Sequence, residues 1–206
     1  MSEGDFFSDE AKRASKASVQ SAEAQTSAEI VVAVRKSSGR YSVLAYHFGL
    51  GLAALVVSYL LLAPAIYSIE TIALDGMLAF ALGSLLAANL DTLQRVLSRG
   101  STLDGNVQSG ARAAFFDLGI SRTAARNGLL VYASMFERRC VVLTDIGIDA
   151  AQLGPRWAGS QRDLAAAVKR RDLPAFQHAI AELGVVLRDA HPRGADDKNE
   201  LADEVQ

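Results

Sequence analysis

Asp145 and Asp149 flank a glycine-containing turn just past the apolar run Arg139–Thr144. Carboxylates so placed could offer oxygens to a hard cation such as Ca2+. Two are too few for a tight site, and aspartates in loops ordinarily serve turns and helix caps. The other reactive residue types stand at the wrong spacing for familiar chemistry. A Cys-x5-Arg phosphatase loop starting at Cys140 requires arginine where the chain has Ile146. An Asp-x-Asp nucleophile motif starting at Asp145 requires an acid where the chain has Gly147. No Gly-x-Ser-x-Gly elbow occurs, and His178 and His191 lack Cys or His neighbours at metal-ligand spacing. Cys140, the single cysteine, reads as a small buried hydrophobe in a reducing compartment. The sequence therefore assigns no catalytic and no cofactor-binding residue. Asp145 and Asp149 are its weak metal candidates.

These residues need elements to position them. Ser8 is placed to cap a helix that carries Asp9 and Glu10 in its first turn and runs to about Gln25. Glu29–Lys36 is short and β-branched, a strand. Val107, Ala111, Ala114, Phe115 and Leu118 fall at helical spacing, with Gly119 as the stop. Gly128–Ser134 and Arg139–Thr144 read as strands joined tightly enough for an antiparallel hairpin. Helical sequence follows around Trp157, Leu164 and Val168. A last helix starts near Asp172-Leu-Pro174 and ends at His191-Pro192. The tail from 193 to 206 is charged and poor in bulky apolar residues, the composition of a disordered segment. It could dock on a partner or simply solubilise the chain.

Between the first strand and the rest lies a different kind of sequence. No Asp, Glu, Lys or Arg occurs from Tyr41 to Ile69, or again from Gly76 to Leu90. About 20 apolar residues cross a hydrocarbon core of roughly 30 Å. A soluble core helix rarely stays apolar on every face for so long. The spacing predicts spans over about 43–67 and 72–90, the second with Asp75 at the interface. Their connection holds Glu70 and Asp75 and no base, whereas Arg35, Lys36, Arg40, Arg95 and Arg99 flank the pair. Basic flanks stay on the cytoplasmic side, so both termini are expected in the cytoplasm of a bacterium, in a multi-pass inner-membrane protein. No basic n-region precedes an apolar h-region at the N-terminus, so no cleavable signal peptide is expected.

Ala45, Gly49 and Ala53 recur every four residues, as do Ala79, Gly83 and Ala87. Small residues at that spacing let two helix backbones approach closely in lipid. They form either a seam within the hairpin or a dimer face. The Gly49–Ala54 match to G-x-G-x-x-A lies inside an apolar helix and is accidental. His47, with no second polar group near it, reads as interfacial rather than proton-handling. The bases at 122–126, 138–139 and 169–171 could face anionic headgroups or merely a solvated surface. Half of the residues are hydrophobic and the net charge is −2, which gives no footprint for nucleic acid.

"TSAEIVVAV" (Thr26–Val34), "RNGLLVYASMFERRCVVLTDIGI" (Arg126–Ile148), Trp157 and "NELADE" (Asn199–Glu204) together resemble the TPM-domain family. The closer resemblance is to its bacterial branch of small membrane proteins, in which a transmembrane hairpin interrupts the domain. The resemblance spans about residues 8–204 and is most specific in the strand–turn–strand block. It implies an α/β fold with a small mixed sheet sandwiched by helices, the first strand separated from the others by the insert. Residues 1–40 and 92–192 would form that domain, 41–91 the hairpin and 193–206 the acidic tail. Family members have been linked to acid phosphatase activity, Ca2+ binding, photosystem repair and accessory roles beside membrane receptors. Fold likeness alone does not carry function. The expectation is a cytoplasm-facing, non-catalytic interaction or assembly factor for membrane proteins; the alternative is a Ca2+-assisted phosphomonoesterase. Its expected partners are the lipid bilayer and either another membrane protein or a second copy of itself.

Overall fold

The computed structural model describes residues 3–194 and 201. The chain divides into two compact units, one formed by Met1–Ser38 with Asp104–Gln206 and the other by Gly39–Leu103.

In the first unit, α1 (Asp9–Glu23) begins where the Ser8 hydroxyl accepts the Ala11 N–H at 3.1 Å, and it buries Ala11, Ser15, Val19 and Ala22 on one stripe. β1 (Glu29–Arg35) follows. Beyond the insert, α5 contributes its residues from Asp104 to Asp117, and β2 (Gly128–Ser134) and β3 (Arg139–Thr144) come next. α6 (Gly154–Arg170) has Pro155 in its first turn and ends on Arg171 in the left-handed region, φ 57°. α7 (Leu173–Arg188) starts where Asp172 accepts the Ala175 N–H at 3.1 Å.

The three strands make one mixed sheet in the order β1-β2-β3. β1 runs parallel to β2 from Glu29↔Gly128 to Arg35↔Ser134, and β3 runs antiparallel to β2. The period-two alternation sends Ile30, Val32, Leu129 and Val131 to one face, where Val19, Trp157, Leu164, Phe176 and Leu183 from α1, α6 and α7 cover them. Val31, Ala33, Leu130 and Tyr132 go to the other face, under Val107, Ala111 and Ala114 of α5. The sheet is thus sandwiched, three helices against one. The β1 start is tied to the C-terminal end of α7: the Thr26 hydroxyl donates to the His191 carbonyl at 2.7 Å, and Thr26 bridges Pro192.

In the second unit, α2 (Ser42–Leu62) and α3 (Ile69–Asn89) are both long and apolar enough to cross a membrane. The first helix stops five residues before the expected Tyr67. Ala63, which precedes Pro64, is extended (ψ 145°), since proline disfavours the helical region for its predecessor. α4 (Asp91–Leu97), a helix the periodicity did not reveal, extends this unit past the expected end at Asp91. Its Gln94 amide donates to the Ala87 and Ala88 carbonyls at 2.9 and 3.2 Å, satisfying acceptors at the end of α3. α5 begins at Gly100. Of the tail expected to be disordered, 195–200 and 202–206 lie outside the described residues. Leu201 is described and packs against the second core face.

Candidate functional site

Ligands of open α/β sheets gather at the carboxyl ends of parallel strands. In this chain that end of β1 and β2 is filled by its own polar residues. The turn Met135–Arg138 continues the pairing past β2: Met135 N–H donates to Arg35 O at 2.9 Å and Phe136 N–H to Lys36 O at 2.8 Å. Arg138, at φ 53°, closes the turn in the left-handed region. Between them Glu137 is fully buried, at 0 % exposure.

A buried carboxylate is costly unless donors surround it. Glu137 Oε1 accepts the Ser38 backbone N–H at 2.8 Å and the Ser37 hydroxyl at 3.3 Å, and Oε2 accepts the Ser134 hydroxyl at 2.5 Å. Ser38 Oγ donates to Ser134 Oγ at 2.8 Å and lies 2.9 Å from Tyr132 Oη. From α5, Gly110 closes against the same group: a Cβ there would stand 2.6 Å from Tyr132 Oη and 3.3 Å from Ser38 Cβ. One carboxylate therefore fastens the chain where it leaves the sheet at Ser38, beside the helix by which it returns. Both Glu137 oxygens already accept donors from the chain, an arrangement suited to holding backbone rather than transforming a substrate. Nothing in the periodicity of 126–148 singled Glu137 out; a lone acid in a tight apolar hairpin was the available signal.

Asp145 and Asp149 lie at the opposite end of the sheet. Arg126 reaches Asp145 with two parallel bonds, Nε to Oδ2 at 2.6 Å and Nη2 to Oδ1 at 2.9 Å, and the Ile146 N–H adds a third at 2.8 Å. The hydrogen bonds from Arg126 hold the Asp145 carboxyl below its ordinary pKa against the opposing effect of burial, and the same contact raises Arg126. Asp149 accepts Ala151 N–H at 3.0 Å and the Gln152 amide at 2.9 Å, opening the turn toward α6. Among the described residues no group of three or more His, Cys, Asp or Glu gathers about one point. Cys140 packs its side chain on the first core face, and desolvation pushes its thiol up to about 12.

In the hairpin, Ala45, Gly49, Ala79, Gly83 and Ala87 are buried in the seam between α2 and α3, and Ala53 is half-buried. The backbones nearly touch. A Cβ on Gly83 would stand 3.0 Å from Gly49 Cα, and one on Gly49 would stand 2.6 Å from Phe80 O. Gly76, at the same seam, would meet Val57. Leu50, Leu55, Tyr59, Leu78, Leu82 and Leu86 point outward, exposed. His47 is exposed, its Nδ1 2.8 Å from the Val43 carbonyl within the same helix.

No protein-family model and no curated protein matches the chain. Among solved structures, the chain is similar to the NMR structure of BA42 protein from the psychrophilic bacterium Bizionia argentinensis, with a TM-score of 0.56 and 17 % identity. The match covers 96 % of this chain and 92 % of that one. At that identity the likeness is one of fold.

Proposed function

We propose that the chain is a membrane-anchored, cytoplasm-facing α/β module of the TPM-like kind, acting as a non-catalytic interaction or assembly factor for membrane proteins of the bacterial inner membrane. The observation that carries this reading is the fastening at Glu137. A buried carboxylate holds Ser38 to the sheet at the point where the chain leaves for the apolar insert, which suits a structural rather than a catalytic role. The hairpin supports the same reading, with small residues inside and large apolar side chains outside, the distribution a lipid-facing pair requires. The carboxylates at both ends of the sheet are engaged by protein donors, which favours a holding role over hydrolysis.

Crosslinking in native membranes followed by affinity purification tests this directly. Stable recovery of a membrane protein complex is the expected result. Phosphomonoester hydrolysis by the purified protein, stimulated by Ca2+ and abolished by Asp145→Ala, would replace it with the phosphatase reading.

A further inference from the structure

The second face of the sheet is the less covered one. Three helices lie on the first face, whereas Val31, Ala33, Leu130 and Tyr132 on the second are packed by α5 and by Ile120 just beyond it. The period-two alternation also puts Glu29, the first residue of β1, on this second face, two positions before Val31. Glu29 is buried all the same, at 6 % exposure. A buried carboxylate requires donors, and one of them comes from far along the chain. Leu201 packs on the second-face cluster, as do Leu118 just past α5 and Leu143 of β3. Its backbone N–H donates to Glu29 Oε2 at 3.4 Å.

We infer that the C-terminal segment is an intramolecular latch: Leu201 closes the second face over the start of β1, in a seat that opens without unfolding the sheet unit. The chain's own path selects this occupant. Past α7, Thr26 bridges Pro192, and the Arg193 guanidinium donates to the Glu23 carbonyl at 3.1 Å. The C-terminal segment is thus tied beside the residues that lead into β1. Leu201 follows eight positions after Arg193 and is the one leucine beyond Leu187. Eight residues span at most about 29 Å, so the tether keeps this leucine at high local concentration near Glu29. Leu201 is only half-buried and its hydrogen bond is long, so it is held far more weakly than the cooperative core and is released by local opening. An open seat offers an apolar rim and a carboxylate acceptor, the pair that a leucine and its own backbone N–H satisfy. This goes beyond the interaction-module reading and stands independently of it, since every residue involved lies in the sheet unit.

Hydrogen exchange on the full-length protein in detergent tests the latch. Leu201→Asp places a charge in the seat and is expected to speed exchange at residues 29–31 and 118–120 roughly fivefold. Residues 176–183, on the first face, are expected to keep their wild-type rates. A synthetic peptide of residues 195–206, titrated into the Leu201→Asp protein, is expected to restore the slow rates saturably, and the same peptide carrying Leu201→Ala is expected not to. Unchanged exchange around Glu29 in the Leu201→Asp protein overturns the proposal, as does a peptide that gives no protection or protects without its leucine. Faster exchange on both faces overturns it as well, because Leu201 would then belong to the cooperative core and not to a latch.

Discussion

Asp145 is held by Arg126 and by the Ile146 N–H, and its pKa lies below the ordinary carboxylate value. A carboxyl depressed in the folded state contributes stability that is fully present above its unfolded pKa of about 3.9 and is lost as pH falls through the folded value. Asp145→Asn is therefore expected to destabilise the sheet unit at pH 7 and to converge with wild type as the medium is acidified below about pH 4. Because the Arg126 side chain is 46 % exposed, the low end of the range for charged hydrogen bonds applies, about 1–2 kcal/mol for the loss of Asp145. Denaturant melts at pH 7 and pH 3 check this; an equal difference at both would refute it. Glu137 carries more. Glu137→Gln keeps the shape but turns an amide donor toward donors, and about 2–3 kcal/mol of destabilisation is expected, or several degrees of Tm. Hydrogen exchange should report it first at Ser38 and Ser134, at the root of the insert.

At the scale of elements, α2 and α3 approach closely enough that a Cβ on Gly49 would overlap the Phe80 carbonyl oxygen at 2.6 Å and one on Gly83 would press on Gly49 Cα at 3.0 Å. Gly49→Leu or Gly83→Leu is expected to force the helices apart and weaken the hairpin by about 1–3 kcal/mol. A Cβ at Gly51 would meet nothing within 4 Å, and Gly51→Leu is expected to be neutral. Limited proteolysis of the Ala63–Ser68 connection in detergent separates the two outcomes, with faster cleavage in the seam variants only. The same small-residue stripe was open to two readings from spacing alone, a hairpin seam or a dimer face. Spacing places residues on a helix face but does not say which neighbour that face meets.

The whole molecule is a sheet unit interrupted by a hairpin unit. With basic flanks outside the hairpin and none in its connection, reporter fusions after Gln206 and at Ser68 are expected to give cytoplasmic and external signals respectively. The reverse pattern, or release from membranes by alkaline carbonate, would remove the membrane anchor from the account. The sheet unit is also expected to fold without the insert. Ser38 lies against Gly110, and the six residues of helix back to Asp104 rise only about 9 Å, so a short flexible linker can replace Gly39–Leu103. Loop-closure entropy changes by about 0.6 kcal/mol per doubling, so linker length should matter little. A fragment beginning at Thr92 lacks β1, the parallel neighbour of the central strand, and should aggregate or lose its cooperative melt. Equal cooperativity in the fragment and the linked protein would mean that β1 adds nothing to the sheet.

The sequence by itself determined what local composition and period encode. The absence of charge from Tyr41 to Ile69 marked the first long apolar helix, and the short apolar runs Gly128–Ser134 and Arg139–Thr144, joined by a short turn, marked the hairpin strands at their observed ends. Ser8 announced its helix because a cap acts within a few residues, and the proline of Asp172-Leu-Pro174 marked the start of the last one. Only the tertiary structure decided what depends on partners far along the chain. Arg126 reaches Asp145 from 19 residues away, and Ser38 reaches Glu137 from 99, through the return of the chain after the insert. α4 stayed hidden because it is too short for a period and is positioned by Gln94 against the carbonyls that end α3. Which carboxylate is buried follows from the packing of residues that no window of sequence contains together.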